Sequence, residues 1–178
     1  MNRKSSQRSL ADRVDYILDF LHDRNPSDDL SAKAVAMRLT RAGHWLEIQL
    51  KRRLGALGID LWELEILATL SRLNGSTSIG RLQDAAQVTA GAITSRVARL
   101  EDKGFLTRTI DTADRRQVRV ELTTAGWTRA AKVIVANDEA QRDALSHIDA
   151  RLIMRLSNDL REFLLSAEGA GQPDPSTE

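Results

Sequence analysis

The sequence predicts a mainly α-helical fold with one small β-hairpin, and two patterns carry this prediction. Apolar residues recur at helical spacing along most of the 178 residues, and the period changes to alternation only between Phe105 and Leu122. A chain of this length can bury a sizeable hydrophobic core. It suits a single domain with helical extensions.

The charge balance is close to neutral, with 26 Lys and Arg against 25 Asp and Glu. Because extended fields require a charge imbalance, a polyanion would have to be bound by a local basic patch. The absence of cysteine excludes disulfides, thiol nucleophiles and thiolate metal sites. The basic start has no apolar stretch of signal-peptide length, and no apolar run is long enough to span a membrane. We therefore expect a cytoplasmic protein without a membrane partner.

Three helices are predicted in the first part of the chain. The first runs from about Ser9 to His22 and is broken by the segment RNPSDD. The second is long, has one face rich in Arg and Lys, and ends at Gly55 and Gly58. Asp60 and Glu63 have the spacing of a variant capping box, which opens a third helix. Apolar residues lie on nearly every side of this third helix, so it should be central to the core.

Two short helices and the hairpin follow. Ser78 can cap the first of these helices and Thr89 the second, which ends at Gly104. The alternating segments Phe105–Ile110 and Gln117–Leu122 are typical of two strands joined by a polar tip. Together they predict a β-hairpin.

Two further helices close the pattern. The first begins after Thr123 or Thr124 and the second after Asp149, since each of these residues can cap a helix. Both helices carry an apolar stripe that needs a partner. The last residues, 168–178, are small and polar and include prolines, which predicts a disordered tail.

Helix, short helix, tight turn, helix and hairpin, in this order, describe a winged helix-turn-helix. On a helical wheel Ile93, Val97 and Leu100 of the second helix point inward. The outward positions are small or polar, as a helix entering the DNA major groove requires. The predicted DNA contacts here are Thr89, Gly91, Thr94, Ser95, Arg96 and Arg99, with Arg96 on the flank that favours phosphate. The alternative is an ordinary solvated helix face.

The tip of the hairpin places Asp114, Arg115 and Arg116 side by side. Arginine suits a minor groove because its guanidinium is weakly hydrated. We hypothesise that Asp114 orients one arginine while the other enters the groove. The alternative is a solvated turn with a weak ion pair.

These segments resemble the MarR family of bacterial transcriptional regulators over roughly Leu30 to Leu164. The resemblance rests on LWELEILATL, on TAGAITSRVARLEDKGFLTRTID and above all on DTADRRQVRVELTTAG. The last stretch is similar to the wing signature of that family, in which Asp-x-Arg is followed by a strand, Leu-Thr and Gly.

The resemblance implies a homodimer that binds a palindromic operator in double-stranded DNA, usually as a repressor. It also implies release of the DNA by a small aromatic or phenolic anion, and no cofactor is expected. The implied organisation is an N-terminal extension (1–29), a dimerisation or linking helix (30–59), the winged helix-turn-helix (60–122), C-terminal dimerisation helices (123–167) and the tail (168–178).

The extra first helix resembles a branch of the family with urate- and phenolic-responsive members. Their pocket uses a tryptophan on that helix and an aspartate in the helix before the helix-turn-helix. The matching positions here hold Leu21 or Phe20, and Glu65. Both differ from the branch pattern, which argues against urate as the ligand.

A ligand pocket is expected where the long helix meets the next one, because aromatic and cationic side chains flank this joint. Its candidate residues are Arg38, Arg41, His44, Trp45, Trp62 and Glu65. For the tryptophans the alternative is core packing, and for His44 it is a surface or capping role.

Two other functional classes compete with DNA binding. An enzyme is disfavoured, because the chain has no phosphate loop or nucleophile motif and His22, His44 and His147 lack metal-ligand spacing. The other class is a winged helix that only binds proteins. Such a module would be expected to expose apolar residues on its second helix, whereas Thr94, Ser95 and Arg99 are polar.

Overall fold

The computed structural model describes residues 11–86, 88–110 and 118–168. The chain divides into two compact units, Met1–Ile48 and Gln49–Glu178. The elements in chain order are α1 (Arg13–Arg24), α2 (Ser31–Gly55), α3 (Leu61–Arg72), β1 (Ser76–Ser78), α4 (Ile79–Ala86), α5 (Ala90–Asp102), β2 (Leu106–Ile110), β3 (Val118–Leu122), α6 (Thr124–Leu145) and α7 (Ala150–Glu168). The mainly helical fold is confirmed. None of the described helices is long and apolar enough to cross a membrane.

The first unit pairs α1 with the beginning of α2. Helix α1 begins at Arg13, because the Asp12 carboxylate accepts hydrogen bonds from the backbone of Val14 at 2.6 Å and of Asp15 at 3.0 Å. The predicted start at Ser9 lies outside the described residues. The Asp15 side chain completes a capping box by accepting from the Asp12 backbone at 2.8 Å. Both carboxylates also bind Arg38 of α2. This ion-paired cluster fixes α1 against α2.

In the second unit, the end of α2 and the start of α3 are set by backbone geometry. Gly58 adopts φ +66°, a conformation that favours glycine. The predicted capping box at Asp60 is wrong, because Asp60 occupies the N-cap position without a side-chain cap bond. Glu63 does not turn back to the N-cap but binds Arg129 and Lys103 inside the fold.

The other predicted caps are confirmed. Ser78 Oγ accepts from the Arg81 backbone at 3.2 Å, and Thr89 Oγ1 accepts from the Ala92 backbone at 3.4 Å. Thr123, rather than Thr124, is the N-cap of α6. Asp149 caps α7. Helix α7 extends to Glu168, one residue past the predicted boundary, and the remaining tail prediction lies outside the described residues.

The sheet has three antiparallel strands in the order β1-β3-β2. Strands β2 and β3 form the predicted hairpin, with Arg108 opposite Val120. Strand β1 was not predicted and pairs Thr77 with Val120 on the other side of β3. The Gly75 carbonyl also accepts from the Leu122 backbone at 2.7 Å, which extends this pairing.

The core of the second unit is centred on α3, as predicted. Its fully buried side chains come from α2, α3, α4, α5 and the sheet: Leu54, Ile66, Leu67, Leu70, Leu82, Ile93, Val97, Leu100, Leu106 and Val120. Helix α6 contributes Ala130 and Val133. Helix α7 contributes no buried residue. The core therefore fixes α5 and the sheet, while the apolar side chains of α7 remain exposed in the isolated chain.

Candidate nucleic-acid interface

Helix α5 presents a small, polar face away from the core. Ile93, Val97 and Leu100 have no exposed surface, which confirms the predicted inward set. The outward residues Gly91, Thr94, Ser95 and Arg99 are exposed, while Ala98 is half-buried. A polar helix face of this kind, anchored by three buried aliphatic side chains, can approach a groove as a rigid element.

The hydroxyls on this face differ in what they can still bind. Thr89 Oγ1 caps the helix by accepting from Ala92, so its O–H remains able to donate to an external acceptor. Thr94 Oγ1 donates to the Ala90 carbonyl at 2.9 Å. Its oxygen can therefore accept from a base edge or from water.

Two cations of α5 and the lysine at its C-cap lie against α3. Arg96 Nη1 is 2.7 Å from a carboxylate oxygen of Glu65. The Arg99 guanidinium lies 4.4 Å from the centroid of the Trp62 ring, and Lys103 Nζ lies 5.5 Å from the same ring. The spacing of three and four residues places these cations on one side of α5, so α3 is the surface that orients them.

Glu63 is the buried centre of this contact region. Its side chain is 1% exposed, Arg129 Nε lies 2.5 Å from one of its oxygens and Lys103 Nζ lies 2.9 Å from the other. Burial raises the pKa of Glu63, but the hydrogen bonds from Arg129 and Lys103 outweigh it and the pKa is lowered overall. This carboxylate joins α3 to the end of α5 and to α6. The sequence did not predict this role, since a carboxylate at this spacing also fits a helix cap.

A second ion pair connects the end of α5 to the hairpin. Arg108 Nε donates to Glu101 at 2.6 Å, and the Arg108 backbone donates to the same carboxylate at 3.2 Å. The side-chain hydrogen bond is the main cause that lowers the pKa of Glu101 and raises that of Arg108. The base of the hairpin is thus fixed to α5. The tip residues Asp114, Arg115 and Arg116 lie outside the described residues, so their roles stay predictions.

The residues of the predicted ligand pocket fall in both units. Arg38, Arg41, His44 and Trp45 lie on the part of α2 in the first unit, while Trp62 and Glu65 lie on α3 in the second.

Several of these side chains already have partners within their own unit. The pKa of Arg38 is raised, chiefly by its hydrogen bond to Asp12. His44 is largely exposed, with Nδ1 3.9 Å from Glu47. Trp62 and Glu65 contact the cations of α5. A pocket that joins these six residues stays a prediction.

Comparison with known proteins identifies the family. The sequence profile of the MarR family matches residues 59–118, from the start of α3 into β3. PecS, an HTH-type transcriptional regulator of Dickeya dadantii (strain 3937), is 30% identical over 135 residues, which cover 75% of this chain and 81% of PecS. The chain belongs to the MarR family. The helix-turn-helix with its three-stranded sheet is therefore the DNA-binding region of a MarR-family transcriptional regulator.

One further relative and one solved structure are similar to this chain. The HTH-type transcriptional repressor MdtR of Bacillus subtilis (strain 168) is 26% identical over 123 residues, covering 63% of this chain and 79% of MdtR. The solved structure of Bordetella bronchiseptica BpsR, whose DNA binding is regulated by 6-hydroxynicotinic acid, superposes with a TM-score of 0.63 at 19% identity. That match covers 72% of this chain and 97% of BpsR. At this identity the structural match supports the fold alone.

Proposed function

We propose that this MarR-family regulator is a homodimeric repressor that binds a palindromic operator and is released by a small aromatic or phenolic anion. The observation that carries the proposal is the α5 face, where Thr94, Ser95 and Arg99 are exposed above a fully buried aliphatic side. A helix with this division can enter a major groove without disturbing the core. An apolar face would instead have favoured the protein-binding alternative.

The proposed groove contacts follow from the chemistry of each side chain. Gly91 allows close approach of the backbone because it has no Cβ. A Cβ built there meets no atom within 4 Å, so packing within the chain does not require glycine at this position. Arg99 can donate to guanine in a bidentate arrangement. The remaining contacts proposed on this helix are Thr89, Thr94 and Ser95, and those on the wing are Asp114, Arg115 and Arg116. Arg96, which the sequence also predicts as a contact, is considered separately below.

A dimer is supported by α7, most of whose apolar side chains are exposed in the described part of the chain. The exposed residues on this helix include Met154, Leu156, Leu160, Phe163, Leu164 and Leu165. An open cleft of about 630 Å³ lies where α6 meets α7. Burying such a surface in a second copy would remove apolar area from water. We assign dimerisation to residues 30–59 and 123–167, as the sequence predicts.

The repressor and effector roles rest on the relatives. MdtR is a repressor, and the DNA binding of BpsR is regulated by 6-hydroxynicotinic acid, an aromatic carboxylic acid. We propose a related effector for this chain, with Arg41 and His44 meeting its charge and Trp45 meeting its ring. The family consists of transcriptional regulators, which supports the expectation that the chain is not an enzyme.

The decisive experiment is selection of bound sequences from random duplex DNA by the purified protein. A recovered inverted repeat would support the DNA-binding function and the two-fold symmetry together. Salt titration on the selected duplex should then give log-linear weakening as counterions are released. Failure to enrich any sequence, or binding that is insensitive to salt, would instead favour the protein-interaction module. Phenols and hydroxylated aromatic acids should be screened for release of the selected duplex.

A further inference from the structure

The two arginines in the middle of α5 lie in different electrostatic environments. Arg96 forms an ion pair with Glu65 at 2.7 Å, and its side chain is only 26% exposed. Arg99 lies over the ring of Trp62 at 4.4 Å. A carboxylate cancels the charge of its partner, whereas an aromatic ring attracts a cation and leaves its charge in place. Arg99 therefore presents a full positive charge to its surroundings, and Arg96 does not.

We propose that Glu65 is a positioning residue that withholds Arg96 from the DNA backbone and so lowers affinity for DNA without changing which sequence is preferred. This inference rests on the proposed DNA-binding function. Contacts to phosphate supply affinity that is independent of sequence, while base contacts supply discrimination. By removing one phosphate contact, Glu65 lowers the affinity for operator and for random DNA by a similar factor, and the choice of sequence is left to the base contacts. The protein then discriminates through Arg99 and the small polar residues beside it.

Trp62 completes this arrangement on the same face of α3. The ring supports the guanidinium of Arg99 from one side and so reduces the number of conformations that the long side chain can adopt. The N–H groups of the Arg99 guanidinium remain at the edge of the stacked plane, where they can donate to the two acceptors of a guanine. Stability alone gives little reason for the neighbouring ion pair, because partly exposed pairs contribute little to the free energy of unfolding. Its placement on the DNA-reading helix is better explained by its effect on charge.

The test is a salt titration of Glu65→Gln on the selected operator and on a random duplex. The substitution preserves side-chain shape and releases Arg96, so affinity for random DNA should rise several-fold at low salt. The slope of log affinity against log salt should steepen by about 0.9, the value for one added phosphate contact. Between 50 and 200 mM salt, the variant should therefore lose about threefold more affinity than the parent. Because a phosphate contact does not depend on sequence, affinity for the operator should rise by a similar factor, and the ratio of operator to random binding should stay close to that of the parent. Asp19→Asn makes the same charge change at an exposed position of α1, outside the residues assigned to dimerisation and DNA contact, and should leave the slope unchanged.

A double-mutant cycle assigns the effect to the pair. Arg96→Gln alone should have almost the same salt slope as the parent. The double variant, Glu65→Gln with Arg96→Gln, should also have the salt slope of the parent. The inference is overturned if Glu65→Gln has the same salt slope as the parent, or if its higher affinity for DNA persists in the double variant. It is also overturned if Arg96→Gln alone makes the salt slope shallower by about 0.9. The last measurement needs no Glu65 variant to fold. A parent protein that binds no duplex would overturn the proposed function itself, and the inference with it.

Discussion

Glu63 is a carboxylate with almost no exposed surface that receives one cation from α6 and one from the end of α5. Glu63→Gln should lower the free energy of unfolding by about 2–3 kcal/mol. The neutral amide cannot form an ion pair with either cation, and the mostly buried Arg129 would be left with an uncompensated charge. Urea unfolding at fixed protein concentration measures the change. Glu101→Gln removes a carboxylate from a more exposed pair and should have a much smaller effect. Equal losses in the two variants would contradict this account.

The same carboxylate makes stability depend on pH. Its folded pKa lies below the ordinary value of 4.5, so the unfolded chain takes up a proton at a higher pH than the folded protein does. The stabilisation from Glu63 is therefore fully present above pH 4.5 and is lost as pH falls through the lower folded value. The difference in unfolding free energy between the parent and Glu63→Gln should shrink below pH 4.5. A difference that stays constant with pH would show that Glu63 acts by packing alone.

At the scale of elements, the first turn of α6 packs directly on the turn between α5 and β2. A Cβ built on Gly126 would overlap the carbonyl oxygen of Phe105. Gly126→Ala should lower the free energy of unfolding by about 1–3 kcal/mol, since backbone atoms cannot yield as a flexible side chain can. Thermal or urea unfolding tests this expectation.

Gly80 in α4 is the matched control for Gly126. A Cβ built there meets nothing within 4 Å, so Gly80→Ala should be neutral or should stabilise the protein by up to about 1 kcal/mol through helix propensity. If both alanine variants were stabilised, close packing at Gly126 would not be the relevant constraint.

Most elements could be predicted because their signals are local. Caps such as Thr89 and Asp149 act within three residues, and the alternation of β2 and β3 needs no distant partner. Strand β1 could not be predicted, because Ser76–Ser78 is three residues long and becomes a strand only by pairing with β3. The partners of Glu63 could not be read either, since Arg129 lies 66 positions away in sequence.

In the candidate site, too, local features could be predicted and contacts between residues distant in sequence could not. The outward face of α5 could be read from a helical wheel, because its inward side chains fix the rotation of the helix. The ion pair of Arg96 with Glu65 joins residues 31 positions apart, so the sequence could not show that Arg96, a predicted phosphate contact, lies beside a carboxylate.

For the whole molecule, the proposed dimer makes a direct prediction about mass. The parent should sediment at about twice the 19.8 kDa of one chain. Leu160→Asp should shift this towards the monomer and weaken operator binding, because a charge would be buried in the proposed interface. Sedimentation across a range of concentrations measures the equilibrium.

Asn158→Asp supplies the control for this substitution. It adds the same charge at an exposed position on the opposite side of α7, and it should leave the mass unchanged. A parent that sediments as a monomer, or equal dissociation of both variants, would contradict the assignment of α7 to the interface.

The stack of Arg99 on Trp62 has an optical consequence. An indole beside a cation emits differently from one whose cation has moved away. The chain has three tryptophans, so Trp45→Phe together with Trp127→Phe would leave Trp62 as the sole tryptophan, which can be excited selectively over the single tyrosine. Its fluorescence would then follow the guanidinium during a DNA titration without any attached dye. Trp62 is thus a built-in reporter of whether Arg99 stays on α3 or leaves it for a base.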